Sequence, residues 1–245
     1  MCLIVLAYKV HPRYPLIVAA NRDEFLERPT LPAAFWPDAP HILAGRDLKA
    51  GGTWLGFTKA GRFAALTNYR DLRRPPVNGP SRGALVRQVL EGDPTTIEGD
   101  HFDGFNLLYG AIGKLRYYNN IEGSGGPLAP GVHGISNHLL DTPWPKVVKA
   151  RDRFAEVIKS DVPSVGDLFG LLNDPRRAPD EALPDTGLDL DRERALSSVF
   201  ISTKGYGTRC STVLMVDSKG RVLFEERTHQ PRGDVRFDFD LDRTS

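Results

Sequence analysis

The sequence predicts one α+β domain, spanning residues 1–245, in which two β-sheets lie between helices. Three observations support this fold class. Hairpin patterns fill both ends of the chain, and helical patterns fall between them. The first strand is apolar on both faces, so it must be covered on both sides. No stretch rich in proline, glycine or serine divides the chain before Asn173, and no repeat of solenoid length is found.

The N-terminal hairpin is the first predicted element. Residues 3–8 and 16–20 are nearly continuous apolar, β-prone runs, and the cluster His11-Pro12-Arg13-Tyr14-Pro15 separates them. The polar run Asn21-Arg22-Asp23-Glu24 is predicted to mark the end of the second strand. Because a hairpin returns its second strand to the start of the first, this run is expected to lie beside Cys2.

Further hairpins follow along the chain. Residues 51–57 are predicted to form a turn and a strand, and residues 63–68 return beside it. Residues 105–112 and 115–118 read as another hairpin, joined by the tight two-residue turn Gly113-Lys114. Strands are predicted to return near the C-terminus, at residues 197–202, 211–216 and 222–226.

Helices are predicted in the middle of the chain. Residues 81–91 begin with the cap residue Ser81, and residues 145–160 carry a proline at the start of an amphipathic pattern. Residues 165–172 form a shorter helix. Residues 173–191, rich in proline, aspartate and arginine, are predicted to be a mobile loop.

Composition excludes several classes of protein. The formal net charge is +1, from 32 basic and 31 acidic side chains, so no general attraction to nucleic acid is expected. The basic run Arg70, Arg73 and Arg74 is read as a solvated loop. No segment reaches the ~18 apolar residues of a membrane span. With two cysteines and no signal-peptide pattern, a cytoplasmic protein without a disulfide framework is expected. No metal-ligand spacing is found.

Cys2 is the strongest candidate for a reactive residue. Removal of Met1 would give Cys2 a free α-amine, with a reference pKa of about 7.7–8.0 beside a thiol of about 8.5. The amine can accept the thiol proton, so nucleophile and base sit on one residue. The plain alternative is a small core hydrophobe that happens to be second in the chain. The other cysteine, Cys210, is expected to be structural.

Polar groups at predicted strand ends are the candidate partners of Cys2. Arg22 beside the thiol would favour the thiolate, and Asp23 could hold the α-amine. Asn68 and Asn137 have amides that can donate to an oxyanion without ionising. Each of these residues also has an ordinary reading as part of a solvated turn.

An ordered series of short motifs carries a family resemblance over essentially the whole chain. The motifs are Met1-Cys2, Ala19-Ala20-Asn21-Arg22-Asp23-Glu24-Phe25, Arg28-Pro29, Gly51-Gly52-Thr53-Trp54-Leu55-Gly56, Ala64-Ala65-Leu66-Thr67-Asn68-Tyr69-Arg70, Arg82-Gly83, Gly104-Phe105-Asn106-Leu107, Gly134-Ile135-Ser136-Asn137, Thr142-Pro143-Trp144 and Gly205-Tyr206-Gly207-Thr208-Arg209. In these the chain resembles the NRDE family, also called the transport and Golgi organization protein 2 family. That family is similar in turn to the N-terminal-nucleophile amidohydrolases of the choloylglycine hydrolase and penicillin V acylase group.

This resemblance implies a four-layer αββα fold and a set of catalytic roles. Cys2 would be the nucleophile, Arg22 its thiolate partner, and Asp23 the residue that orients the α-amine. In the amidohydrolases residues separate that arginine and aspartate, whereas here the two are adjacent. Asn68 and Asn137 would be the oxyanion donors.

The residues expected at the ligand are mostly aromatic. Trp54 and Tyr206 can form a flat apolar wall, and His138 lies beside the loop of Asn137. Tyr69 follows Asn68 directly. Arg209 matches, more loosely, a second arginine of the amidohydrolases.

Three functions are compatible with these residues. The first is hydrolysis or transfer of an acyl group from an amide or thioester at Cys2, with no cofactor required. The second, implied by the family, is a non-catalytic carrier for haem, or one linked to acyl-lipid and coenzyme A metabolism. The third, a scaffold of secretory membranes, has no support from a lipidation signal or an amphipathic basic helix.

Overall fold

The computed structural model describes residues 2–77, 79–92 and 96–242. The outer limits of the predicted 1–245 domain, and the fate of Met1, therefore lie outside the described residues. The strands are β1 (Cys2–Tyr8), β2 (Leu16–Phe25), β3 (Thr30–Trp36), β4 (Ala39–Asp47), β5 (Leu55–Thr58), β6 (Arg62–Asn68), β7 (Phe105–Ala111), β8 (Arg116–Asn119), β9 (Ser124–Pro127), β10 (Gly131–Ile135), β11 (Tyr206–Val216), β12 (Arg221–His229) and β13 (Arg232–Asp240). The helices are α1 (Arg82–Glu91), α2 (Pro145–Val157), α3 (Val165–Leu172) and α4 (Leu190–Leu196).

These strands form two antiparallel sheets. The first sheet has the order β10-β1-β2-β11-β12-β13, so the N-terminal hairpin lies at its centre, flanked by strands from much later in the chain. The second sheet keeps chain order, from β3 to β9. The first sheet therefore assembles only when distant parts of the chain meet, whereas the second grows from consecutive hairpins.

Alternation along the strands divides the core into layers. On β1, Ile4 and Leu6 point between the two sheets, where they meet residues such as Phe57 of the second sheet. Leu3 and Val5 point the other way and pack against α2 and α3. The outer face of the second sheet is covered by α1. The order of layers is helix, sheet, sheet, helix, which confirms the predicted αββα arrangement.

Several predicted elements match the structure closely. The N-terminal hairpin, the β5–β6 hairpin and α3 occur where the sequence patterns placed them. Helix α1 has the predicted cap, since the Ser81 side chain accepts a hydrogen bond from the N–H of Gly83. Helix α2 starts at Pro145 as predicted and ends at Val157, before residue 160.

Other predicted elements were wrong. β2 does not end at Asn21 but continues to Phe25, because β11 pairs with it over that whole length. The β7–β8 connection is a 3-10 turn, Ile112–Lys114, rather than a two-residue turn. Residues 197–202 form no strand beyond one bridge at Ser202. Strands β3, β4, β9, β10 and β13, and helix α4, had no predicted counterpart.

The segment 173–191 is fixed by buried charges, contrary to the expectation of a mobile loop. The Asp174 carboxylate is almost fully buried and binds Lys149, Arg153 and Arg176 at 2.9, 3.3 and 2.7 Å. A carboxylate removed from water is stable only when cations and donors surround it. Asp174 therefore anchors the start of this segment to α2.

A second buried ion pair ties the end of the same segment to the other sheet. Arg70, expected to be solvated, is buried and donates to Glu193 of α4 at 2.6 Å. Glu193 also accepts a hydrogen bond from the N–H of Thr186. The Arg70 guanidinium lies over the ring of Trp144 at 5.0 Å.

The described residues contain neither a membrane-spanning helix nor a metal-binding group of side chains. Within ranges 2–77, 79–92 and 96–242, no helix has the length and apolarity required to cross a membrane. Over the same ranges, histidine, cysteine, aspartate and glutamate side chains form no group able to hold a metal ion.

Candidate functional site

Cys2, Arg22 and Cys210 form one row across the centre of the first sheet. Arg22 of β2 is the register partner of Cys2 on β1 and of Cys210 on β11. Directly opposed residues of antiparallel strands share a face. All three side chains therefore point between the sheets, on the face that carries Ile4 and Leu6. The predicted adjacency of Cys2 and Arg22 is present in the structure.

This row opens into a cleft of about 340 Å³. Its walls come from both sheets and from the start of α1. The first sheet contributes the row itself, β6 contributes Asn68, and the helix start contributes Arg82. The cleft thus brings a thiol, guanidinium groups and an amide to one enclosed space.

The side chain of Arg22 is held by partners on the cleft side. Its guanidinium donates to Thr30 Oγ1 at 3.1 Å and lies 3.9 Å from the carboxylate of Asp47. Asp47 is bound more closely by Arg28, at 2.6 Å. Although burial disfavours its charged form, the hydrogen bond from Arg28 holds the pKa of Asp47 below its usual value.

The Asp23 side chain lies on the opposite face of β2 from Arg22. Consecutive residues of a strand point to opposite faces, and the Asp23 carboxylate accepts from Thr208 Oγ1 at 2.7 Å on the helix side of the sheet. Asp23 still contributes to the cleft through its backbone, because its N–H hydrogen-bonds the Cys2 thiol. Burial raises the pKa of the Asp23 carboxyl, and the nearby cation Lys146 opposes that shift.

Both cysteine side chains favour the protonated thiol over the thiolate. Burial raises the pKa of Cys2; the charge of Asp23 adds to this shift, and Arg22 opposes it. Burial also raises the pKa of Cys210, which hydrogen-bonds Glu226. Neither sulfur is therefore a ready thiolate at neutral pH, and a reaction at Cys2 requires a base.

The two asparagines lie in different surroundings. Asn68, at the end of β6, lines the cleft. Asn137 is fully buried, and among the described residues it is not part of the cleft wall. Its amide nitrogen donates to the backbone oxygen of Asn68 at 3.0 Å. Asn137 thus holds the strand end that carries Asn68.

The expected ligand residues are divided between locations. Trp54 and Arg209 line the same cleft as Cys2. One N–H of the Arg209 guanidinium donates to the backbone oxygen of Phe25. Tyr206 lines a second cleft, and its hydroxyl donates to the backbone oxygen of Asp23.

Tyr69 and His138 form a pair of their own. The Tyr69 hydroxyl lies 3.0 Å from His138 Nε2, and the other ring nitrogen of His138 contacts Thr142. In the part of the chain that the structure describes, neither ring belongs to the wall of the two clefts.

The second cleft is larger, about 800 Å³, and contains no cysteine among its described lining residues. Phe169, Phe200 and His229 are part of its wall. The turn between β12 and β13 separates the two clefts, and the residues that line both of them are Thr228, Gln230, Arg232, Gly233 and Asp234. We call these five residues the shared hairpin.

Sequence reasoning missed several residues of the site. Cys210 and Glu226 lie in the cleft wall, and Asp47 holds Arg28 there. Alternation along β11 places Cys210 on the same face as Leu214, which is the one signal that could have identified it. Lys146, buried at the start of α2 behind Cys2, had no signal, because a lysine in the first turn of a helix is usually exposed.

The chain is similar to known proteins over most of its length. The family model described as Transport and Golgi organisation 2 matches residues 1–231. The Transport and Golgi organization protein 2 homolog of Bos taurus is 38% identical over 258 residues, and that of Homo sapiens is 36% identical over 260; each match covers 93% of both chains. The Drosophila melanogaster protein is 28% identical over 268 residues, covering 93% of this chain and 92% of its own.

Two solved structures have a similar fold at low identity. The Caenorhabditis elegans ortholog of N-acylethanolamine-hydrolyzing acid amidase superposes with a TM-score of 0.52 at 12% identity, covering 87% of this chain and 92% of its own. The C2A mutant of the conjugated bile acid hydrolase from Clostridium perfringens gives 0.55 at 10% identity, covering 100% and 95%. This likeness confirms the predicted fold of the N-terminal-nucleophile hydrolases.

Proposed function

The chain belongs to the Transport and Golgi organisation 2 family, and from that premise we propose that it hydrolyses or transfers acyl groups, with Cys2 attacking an amide or thioester carbonyl. The observation that carries this proposal is the position of Cys2. Cys2 lies at the end of a central strand, lines a cleft and is the register partner of Arg22 on the neighbouring strand. The names of the two hydrolases with a similar fold are in keeping with acyl chemistry.

In the proposed reaction, the Cys2 sulfur forms a bond to the carbonyl carbon while its proton moves to the α-amine of the same residue. This transfer is needed because burial favours the protonated thiol. The amine then gives the proton to the leaving nitrogen or sulfur as its bond to carbon breaks. Water, or an acceptor hydroxyl or amine, displaces Cys2 from the resulting thioester, and its proton returns to the cysteine sulfur.

We assign two supporting roles. The amide of Asn68 donates to the oxygen of the tetrahedral intermediate, and Asn137 supports it by fixing the end of β6. Arg22 stabilises the thiolate as it forms, since it is the cation opposed to Cys2. Asp23 would orient the α-amine from the helix side of the sheet.

The size and surroundings of the cleft suit a small acyl substrate. Ligand pockets typically have volumes of about 300–1,000 Å³, so the cleft of about 340 Å³ is at the small end. Trp54 offers an apolar wall, and Arg28 and Arg82 offer cations. We also place the protein in the cytoplasm, on the ground that both cysteines are free thiols.

The test is a substrate panel combined with mass spectrometry. Intact protein from the native host is weighed to determine whether Met1 is removed, and acyl amides and acyl thioesters are then assayed with wild type and Cys2→Ala. Turnover that disappears in Cys2→Ala, together with an acyl adduct on the Cys2 peptide, would support the proposal. Retained Met1 together with an unreactive Cys2 would rule it out.

A carrier function is the second candidate, and the second cleft favours it. His229 lies in its wall with Phe169 and Phe200, and Arg227 and Arg232 add cations there. Burial lowers the pKa of His229, so its imidazole is neutral at physiological pH, the form that binds iron. Aromatic surfaces, a neutral imidazole and guanidinium groups for propionates are what haem as a cargo requires.

Spectral titration tests the carrier function. Haemin is added to micromolar wild type and to His229→Ala. A Soret shift in wild type that is lost in His229→Ala would support a haem carrier with this cleft as its site. No shift in wild type would exclude useful haem binding.

A further inference from the structure

Lys146 is buried in a place where a lysine is costly. It is the second residue of α2, and only 2% of it is exposed. Lysine is almost never fully buried unless it is paired. The positive end of the helix dipole also lies at this position, so the helix itself disfavours an ammonium there. Such a side chain persists only where its surroundings compensate the charge.

The surroundings of Lys146 come from four different elements. Asp23 of β2 and Glu193 of α4 favour its positive charge, as does Cys2 of β1 when it is a thiolate, and Arg70, which follows β6, opposes it. Burial lowers the pKa of Lys146 to about 8, and Asp23 is the strongest opposing influence. For the Asp23 carboxyl, in turn, Lys146 is the strongest influence against the effect of burial. Each group therefore supports the charge of the other.

The Lys146 ammonium also contacts the amide that supports the cleft. Its Nζ donates to Asn137 Oδ1 at 3.4 Å, and Ser136 Oγ lies 3.2 Å from the same oxygen. Ser136 Oγ donates to the backbone oxygen of Cys2 at 2.8 Å. With its oxygen facing a cation, the amide of Asn137 must present its nitrogen to Asn68. A chain of contacts thus runs from Lys146 to both strand ends of the site.

We propose that Lys146 is a positioning residue of the Cys2 centre, which holds the amide of Asn137 in one orientation and balances the carboxylate of Asp23. The inference rests on the function proposed above, because it gives Lys146 its role through Cys2. Without the ammonium, the Asp23 carboxylate loses the strongest cation that acts on it, so its charge disfavours the Cys2 thiolate more, and the Asn137 amide oxygen keeps only its contact with Ser136.

Alkylation of Cys2 over a range of pH tests this role without any substrate. Iodoacetamide labelling is followed by peptide mass mapping, so that Cys2 and Cys210 are measured separately. In Lys146→Met we expect the midpoint of the Cys2 profile to rise by about one pH unit, with labelling at pH 7.5 about 5- to 10-fold slower. Lys146→Arg should recover most of the rate. Lys149→Met, the same change one helical turn onward at a partly exposed residue, should leave the profile unchanged.

If Lys146→Met does not fold, the pKa of Lys146 can be measured directly in the wild-type protein. NMR titration of ¹³C-labelled lysines in wild type should show one resonance with a pKa near 8, and that pKa should fall by about one unit in Asp23→Asn. An unchanged Cys2 profile in a folded Lys146→Met variant would overturn the proposal. A Lys146 pKa equal to that of a solvated lysine would also overturn the proposal. Failure of wild type to turn over any substrate would count against the proposed function alone.

Discussion

Arg22 and Asp23 are consecutive residues of β2 whose side chains leave the strand on opposite faces, one into the cleft and one toward α2. Arg22 meets Thr30 and the carboxylate of Asp47, whereas Asp23 accepts from Thr208. The two charges therefore act on Cys2 from different sides of the sheet. Substitutions at these neighbouring positions should have separable effects, although the positions are adjacent in sequence.

We expect Arg22→Met to slow Cys2 alkylation at neutral pH and to lower stability. The variant removes a cation that opposes the upward shift in the pKa of Cys2. It also leaves Asp47 with Arg28 as its remaining close cation, so the loss should be about 1–3 kcal/mol, less than for an isolated buried pair. Urea unfolding and labelling profiles measure the two effects, with Arg22→Lys as the control that keeps the charge. Normal labelling in Arg22→Met would show that Arg22 has only a structural role.

The buried pair of Arg70 and Glu193 should be a strong determinant of stability. Glu193→Ala leaves the Arg70 guanidinium without its 2.6 Å carboxylate partner in a buried site. Breaking such a pair from one side costs roughly 3–5 kcal/mol. Asp191→Ala, which removes an exposed carboxylate on the same helix, should change the free energy of unfolding by less than about 0.5 kcal/mol. Similar unfolding curves for the two variants would contradict this prediction.

His133 should make stability depend on pH near neutrality. Its Nδ1 lies 2.7 Å from Asp141 Oδ2, and that hydrogen bond raises the pKa of His133 above 6.5. The protonated form is therefore favoured by folding. Its contribution is complete below pH 6.5 and is lost as the pH rises through the higher pKa of the folded state.

The expected size of that contribution is about 1 kcal/mol, allowing for the partial exposure of Asp141. Urea melts between pH 5.5 and 8.5 should show it in wild type and not in His133→Asn. His41→Asn, at an exposed histidine, serves as the control. A His133→Asn curve with the same pH dependence as wild type would assign the effect to another group.

Gly52 should not tolerate alanine, because of a close backbone approach. A methyl group there would lie 2.4 Å from the carbonyl carbon and oxygen of Gly83, and backbone atoms cannot move aside cheaply. We expect Gly52→Ala to cost about 1–3 kcal/mol and to move α1 relative to the cleft. Gly170→Ala, in α3 with open space around it, should instead stabilise by about 0.5–1 kcal/mol. Thermal melts of both variants compare the two effects, and a stabilised Gly52→Ala would be the contrary result.

What the sequence could predict was mostly local. The N-terminal hairpin and the Ser81 cap follow from patterns within a few residues, and both were confirmed. The polar run after Ala20 was wrongly read as a strand end, because its partners lie on β11. Asp23 and Thr208, for example, meet across 185 residues of chain. A buried polar residue in a strand is stable when a residue of a distant strand supplies its hydrogen bond. A sequence pattern of a few residues cannot identify that partner.

The same limit applies to the site. The motifs placed Cys2 beside Arg22, since a hairpin fixes that register. They did not reveal that Lys146 is buried, because its burial depends on how α2 packs on the first sheet. Nor did they separate Tyr206 from Trp54, which line different clefts. Chain neighbours were predictable, whereas contacts between layers were not.

The shared hairpin has a consequence for how variants of this protein are interpreted. Its five residues belong to the walls of both clefts. A substitution at Arg232 therefore alters two cavities at once, and a phenotype observed there cannot be attributed to either. Attribution requires positions that belong to one wall only, Trp54 for the cleft of Cys2 and Phe200 for the cleft of His229. Comparing such variants would test separately the two functions proposed for the two clefts.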